Sequence, residues 1–410
     1  MFGPFAIDTM FPAFPRMAVD LHTTAFGMQQ TLSVYMIAFA MMSLLHGPLS
    51  DALGRRRIIL GGVAVFVLAS IGCASADSIA ELLVYRAVQG MSAGAGMIVG
   101  RAIIRDCFDG AEAQRLMSTV SMIFGLAPAL APIVGGWIIT FARWPMIFVF
   151  LAAFAALVWF GCLLLLPETH PPARRTPLSV RAIAGTYRTI ARDPVFPPLV
   201  LAGTLGFNAL FVYISSAPAF VINLLGLDEQ HFAWLFIPAV GGLMFGSFLS
   251  GRMAGRLSGQ ATIATGYAIM LLASLVNVSV ALLLDRPQLP WSVLPIGLHS
   301  TGIGIAFPSL TLILLDRFPG IRGGASSMQA FVSLVMSAII AGVISPLVSG
   351  SAIGLAATAA SITAVGFLAW RLYCLVARRF PPVCVQGNAD HVPSVRGEPF
   401  DCAQDRPVEP

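Results

Sequence analysis

Runs of about 20 apolar residues, broken by short groups of charged or turn-forming residues, recur from the start of the chain to near residue 378. A helix of that length crosses the hydrocarbon core of a bilayer. Cutting the chain at each interruption predicts twelve crossing helices, over residues 1–20, 28–50, 58–76, 80–100, 116–142, 144–167, 195–222, 232–251, 261–284, 288–315, 324–348 and 352–377. The charge-free stretch from Gly323 to Trp370 is too long for one crossing, and Ser349-Gly350-Ser351 supplies the turn that divides it. Beyond Phe380 the chain turns polar and proline-rich, which predicts a disordered tail over 379–410.

Composition narrows the class. The 410 residues are 57% hydrophobic and 10% charged, against roughly 25% charged in a soluble domain, so a soluble enzyme is excluded. All 24 basic residues are arginines. They punctuate the apolar runs instead of forming a solvated basic face, which argues against nucleic-acid binding. The six cysteines are scattered without metal spacing, and no structural disulfide, metal or cofactor is expected.

The arginines also predict orientation, because cytoplasmic loops carry the excess of positive charge. Arg55, Arg56 and Arg57 lie between the second and third segments, Arg101, Arg105 and Arg115 between the fourth and fifth, and Arg252 and Arg256 between the eighth and ninth. Arg317 and Arg322 follow the tenth, and Arg378 and Arg379 follow the twelfth. The alternate loops hold only Arg16, Arg143 and Arg286. Both termini are therefore expected in the cytoplasm. The stretch 168–194, with Arg174, Arg175, Arg181, Arg188 and Arg192, reads as a cytoplasmic linker between six-helix halves over 1–167 and 195–378. An offset of 200 aligns Gly3 with Gly203, Asp8 with Asn208, Phe11 with Phe211, Leu49-Ser50 with Leu249-Ser250 and Arg56 with Arg256. The expected fold is an all-α membrane protein of two pseudo-symmetric six-helix bundles, an arrangement that holds substrate between the halves.

Two charges interrupt apolar runs. Asp8 lies in Ile7-Asp8-Thr9-Met10-Phe11-Pro12-Ala13-Phe14-Pro15, and an intramembrane carboxylate is costly unless it serves a proton or substrate site. Pro12 and Pro15 free backbone carbonyls beside it, a pattern tolerated along a cavity. The bland alternative is an interfacial Asp capping a helix. Arg86 lies in Tyr85-Arg86-Ala87-Val88-Gln89-Gly90 near the outer end of the fourth segment. It either snorkels to the surface beside Asp77 and Glu81, or faces inward, bonds Gln89 or backbone, and biases a carboxylate across the pathway. Gly90, Gly94, Gly96 and Gly100 form a small-residue packing face. Gly90-Met91-Ser92-Ala93-Gly94 also matches the G-x-S-x-G pattern, but that nucleophile requires a strand-to-helix elbow and here lies mid-helix.

Between the second and third segments, Gly47-Pro48-Leu49-Ser50-Asp51-Ala52-Leu53-Gly54-Arg55-Arg56-Arg57 reads as a tight glycine-containing turn with an acid at a helix end and three cations. It resembles the signature loop of the major facilitator superfamily at Gly47, Leu49, Asp51, Gly54, Arg55 and Arg56. Arg86 with Gln89 and Gly90 resembles that family's fourth-helix motif. Gly125-Leu126-Ala127-Pro128, with Pro132, Gly135 and Gly136, resembles its fifth-helix antiporter motif. The opening Asp8-x-x-x-Pro12-x-x-Pro15 is similar to drug:proton antiporters of the bicyclomycin and chloramphenicol resistance type. The second half departs from the pattern, with Gly251 in place of Asp51 and Leu294 near the place of Arg86, so proton chemistry is expected in the first half alone.

The resemblance implies a monomeric, multi-pass protein of the bacterial inner membrane that exports small apolar drugs in exchange for protons. Asp8 and Arg86 would couple the proton, and the Gly47–Arg56 loop would act as a conformational latch. Asn208, Tyr213 and Gln329 are candidate polar contacts for substrate. A proton-coupled metabolite exporter or symporter is the alternative within transport, and a membrane receptor or scaffold the alternative outside it. One further expectation concerns length. Thirteen residues of the seventh segment precede Asn208 but seven precede Asp8, a deficit of about 9 Å of helix, which predicts a natural start upstream of Met1.

Overall fold

The computed structural model describes residues 2–108, 110–175, 178–254, 256–319 and 321–380, apart from the side chains of Phe2, Pro4, Arg105, Arg174, 110–115, 117–119 and 121–126. Among the described residues every regular element is helical. The first half holds α1 (Phe2–Asp8), α2 (Phe14–Asp20), α3 (Ala25–Leu53), α4 (Arg55–Ala74), α5 (Ile79–Cys107), α6 (Gly110–Phe141) and α7 (Pro145–Leu165). A connecting helix α8 (Val180–Arg192) leads to α9 (Phe196–Ser215), α10 (Ala233–Met253), α11 (Gly259–Leu283), α12 (Leu294–Arg317), α13 (Arg322–Ile339), α14 (Ser345–Val348) and α15 (Ala352–Arg379). Ten spans are long and apolar enough to cross a membrane, the part of α6 over Ala127–Phe141 adds a shorter apolar stretch, and the first segment is broken into two short helices.

The partition of residues is that of a protein dissolved in lipid. Leu165, Leu283 and Leu347 are each at least 80% exposed, whereas Arg86, Gln89 and Asn208 are fully buried. Polar groups collect inside because the bilayer offers them no partners. Local chemistry sets the helix starts. Side-chain oxygens of Thr24, Ser78, Ser179, Ser258 and Ser351 accept the otherwise unpaired N–H three residues on, at the starts of α3, α5, α8, α11 and α15.

The arginine-bearing turns gather at one end, here the near end. Arg55 meets Asp106 at the end of α5, Arg56 reaches the Leu163 carbonyl of α7, and Arg317 bonds Asp193 and the Phe380 carbonyl. The far end carries the start of α3, the end of α6 and the loop between α9 and α10.

Three expectations need correction. The first segment is not one helix: α1 stops at Asp8, and a 3-10 turn over Phe11–Ala13 precedes α2. Pro12 and Pro15 lack the N–H that would continue the helical ladder. The seventh segment leaves the α-helix at Ser215, and Ala219–Leu224 is π-helical. The tenth starts at Leu294, since 288–293 form a turn around Pro290. Within the 168–194 stretch the helix α8 folds. The tail from 381 onward lies outside the described residues.

Candidate functional site

Asp8 is the last residue of α1 and is buried. The final carbonyls of a helix have no intrahelical donor, and here Arg86 supplies one: its Nη1 donates to the Ala6 carbonyl at 3.0 Å. A cation at a helix C-terminus also complements the negative end of the helix dipole. Arg86 Nε donates to the Thr31 carbonyl of α3 at 3.3 Å, and Nη1 also bonds Gln89 Oε1. Gln89 Nε2 donates to Ser70 Oγ at 2.8 Å, which donates to the Phe66 carbonyl at 2.7 Å. The guanidinium carbon sits 4.3 Å from the centre of the Tyr35 ring, a favourable face for a desolvated cation.

Arg86 is thus an inward-facing hub, and its snorkelling alternative is set aside. Among the described residues it makes no ion pair with a carboxylate. Its link to Asp8 runs through the α1 terminus. α1, α3, α4 and α5 are held around one buried charge, so a change at Asp8 is two residues of backbone from the centre that positions four helices.

The signature loop is built differently from its sequence reading. Gly47 and Pro48 lie inside α3, and the turn is Gly54 alone, with φ of +101°. That angle is costly for any residue with a Cβ, and a Cβ there would also strike the Glu168 carboxylate. Asp51, on the last turn of α3, pairs across the Gly54 turn with Arg55 four residues on, within its own half. Arg55 Nε lies 3.1 Å from Asp106, and the Arg55 N–H donates to Glu168 at 2.9 Å. Glu168 also lies 3.8 Å from Arg175, and Thr169 bonds Asp106.

Asp106 and Glu168 escaped the sequence reading. The signal available was charge balance: a buried Arg55 needs acids, and these two close the neighbouring apolar runs.

Pro128 and Pro132 lie inside α6. One turn further, Gly135 sits against the Thr9 carbonyl at the break of the first segment, leaving no room for a Cβ. A Cβ on Gly136 would stand 2.7 Å from the Glu229 carbonyl of the second half. The two glycines bring α6 against both the Asp8 break and the opposite half. The surroundings of Gly125 lie outside the described residues.

Asn208, Tyr213 and Gln329 are not gathered at one point. Asn208 accepts from Ser337 at 2.9 Å, Tyr213 accepts from Asn277 at 2.8 Å, and Gln329 donates to Thr311 at 3.4 Å. Each is committed to a partner within the second half.

Among the described residues, the side-chain hydrogen bonds made directly between the halves lie at the far end. Gln29 donates to Ser345 at 3.0 Å, Gln30 to the Gly342 carbonyl at 2.9 Å and Ser33 to the Ala338 carbonyl at 2.9 Å. Gly342 belongs to a π-helical turn, Ile340–Ile344. Arg16 makes a double contact with Glu229, at 2.6 and 3.1 Å, and Gln230 bonds Thr140. Phe11 stacks on Phe236 with ring centres 6.2 Å apart.

This helical frame and these motifs have relatives. Residues 1–341 match the sequence profile of the Major Facilitator Superfamily. The chain belongs to the major facilitator superfamily. It is a multi-pass membrane transport protein and not an enzyme. A bicyclomycin resistance protein homolog of Haemophilus influenzae is 27% identical over 391 residues, covering 92% of this chain and 94% of that relative. Multidrug resistance protein D of Escherichia coli K12 is 27% identical over 346 residues, covering 83% and 84%. An MFS-type transporter of Bacillus subtilis, YdgK, is 31% identical over 352 residues, covering 84% and 85%. Among solved structures, a D-xylose-proton symporter superposes with a TM-score of 0.68 at 15% identity, covering 90% of this chain and 94% of that one. The human organic anion transporter MFSD10 gives 0.67 at 19%, covering 91% and 96%. At these identities the structures speak for the major facilitator fold alone.

Proposed function

We propose that this major facilitator protein is a drug:proton antiporter of the bacterial inner membrane, exporting small apolar drugs by alternating access. The observation that carries the reading is Asp8, a buried carboxylate at a helix break, two residues from the carbonyl that Arg86 holds. A transporter driven by protons needs a group that can lose and regain one within the membrane, and intramembrane carboxylates serve that role. The relatives named for bicyclomycin and multidrug resistance support drugs as the cargo.

In this reading the near end, with its arginines, faces the cytoplasm, as do both termini. The far-end contacts between halves then correspond to a state closed to the outside and ready to take drug from within. Export requires those contacts to part while the near end closes, with the 1–167 and 195–378 halves moving about substrate held between them. Both halves are in one chain, so a monomer suffices. Asn208, Tyr213 and Gln329 would contribute to substrate binding on exchanging their present partners.

The test is efflux from cells with and without a proton gradient, for the native chain and Asp8→Asn. Drug efflux that collapses with the gradient, and is abolished in the variant although protein remains in the membrane, is the expected result. Full gradient-driven efflux by Asp8→Asn would overturn the assignment of the carrier.

A further inference from the structure

The connecting helix α8 presents a charged stripe that the transport reading does not use. Arg181, Arg188 and Arg192 are exposed, and seven and four residues separate them, so at 100° per residue they fall within about 40° of one another on the helix. They span about 16 Å along its axis. Among the described residues none of the three has an ion-pair or hydrogen-bond partner. Four other near-end arginines are answered by acids: Arg55 by Asp51 and Asp106, Arg175 by Glu168, Arg317 by Asp193 and Arg322 by Asp316. The helix itself holds no acid.

The opposite side of α8 is seated in the protein. Ile190 is fully buried, and Tyr187 Oη donates to the Leu44 carbonyl of α3 at 2.7 Å. Leu44 is nine residues short of the near end of α3, or about 13 Å inward, so α8 lies at the level of the spanning-helix ends and not below them in water. Between the seated face and the arginine stripe runs an exposed apolar strip of Val180, Ala184 and Ala191, with Val180 77% exposed and Leu178 before it 51%. Water would penalise that strip. A bilayer surface accepts it, with apolar side chains at the acyl boundary and arginines reaching the headgroups.

We infer that α8 is a docking surface for anionic phospholipid headgroups, with Arg181, Arg188 and Arg192 binding their phosphates. An acidic protein segment would answer the charge but not the apolar strip beside it. The inference does not depend on which substrate the protein moves.

The full chain in nanodiscs tests it through amide hydrogen exchange of residues 178–192. Phosphatidylcholine discs with phosphatidylglycerol should slow that exchange by about tenfold to a hundredfold relative to phosphatidylcholine alone, the range set by three arginines near an anionic surface. High salt should remove the difference by screening, and so should the triple variant R181Q/R188Q/R192Q. Equal exchange in the two lipids overturns the inference, as does a difference that survives salt or the triple substitution. The salt arm needs no variant, so the result does not hang on how well the triple variant inserts.

Discussion

Arg86 and Asp8 differ in what each would lose on substitution. Arg86 serves the Ala6 and Thr31 carbonyls and Gln89 Oε1 from one planar group. A lysine is a compact point charge without that fork, so Arg86→Lys leaves at least one buried acceptor unpaired, at about 1–3 kcal/mol. Asp8 makes no side-chain hydrogen bond among the described residues, and asparagine keeps its shape. Thermal unfolding of the purified protein should therefore fall clearly for Arg86→Lys and hardly at all for Asp8→Asn, while both lose gradient-driven efflux. An unchanged melting temperature in Arg86→Lys would show that the hub does not hold the helices. The sequence exposes both residues because a charge inside an apolar run is conspicuous. What Arg86 bonds to is hidden, since two of its partners are backbone carbonyls that no residue type announces.

At the scale of elements, the apolar runs reveal most of the helices because membrane crossing demands length and apolarity together. They do not reveal where helices stop being α. The π-helical turns Ala219–Leu224 and Ile340–Ile344 are as apolar as their flanks. The break after Asp8 is half legible, since Pro12 and Pro15 announce freed carbonyls but not that the helix ends there. α8 is hidden because it is short and largely polar, although Ile183, Tyr187 and Ile190 stand at helical spacing in the sequence.

The signature loop is an element-scale device. Asp51 is 43% exposed, and its partner Arg55 is also held by Asp106 and Ser50. Losing an ion pair this open costs at most about 1 kcal/mol, so Asp51→Asn should fold normally. As a latch it should act on the exchange between states: turnover slows, while drug affinity stays within about fivefold of the native chain. Equilibrium binding of a labelled drug beside transport assays separates the two. A large loss of binding with normal cycling would contradict the role.

For the whole molecule, the balance between states rests on the far-end contacts, and their worth is unequal. Arg16–Glu229 is conspicuous, yet Arg16 is 49% exposed, and such pairs contribute about 0–1 kcal/mol. Gln29, Gln30 and Ser33 make neutral hydrogen bonds to α14, the π-helical turn before it and the end of α13, in that order. Gln29 and Ser33 are buried, and each bond in such a place contributes about 1 kcal/mol net. Three together amount to about 3 kcal/mol, or roughly a hundredfold in population. By this reckoning the neutral clasp contributes more than the ion pair to holding the far end shut. Distances between spin labels at Val19 and Asp228, both exposed, report its opening. Q29A/Q30A/S33A should move most of the population to longer distances, and Arg16→Ala should move it by no more than about fivefold. The reverse order, with the single arginine opening the far end and the triple variant leaving it closed, would place the clasp in the ion pair.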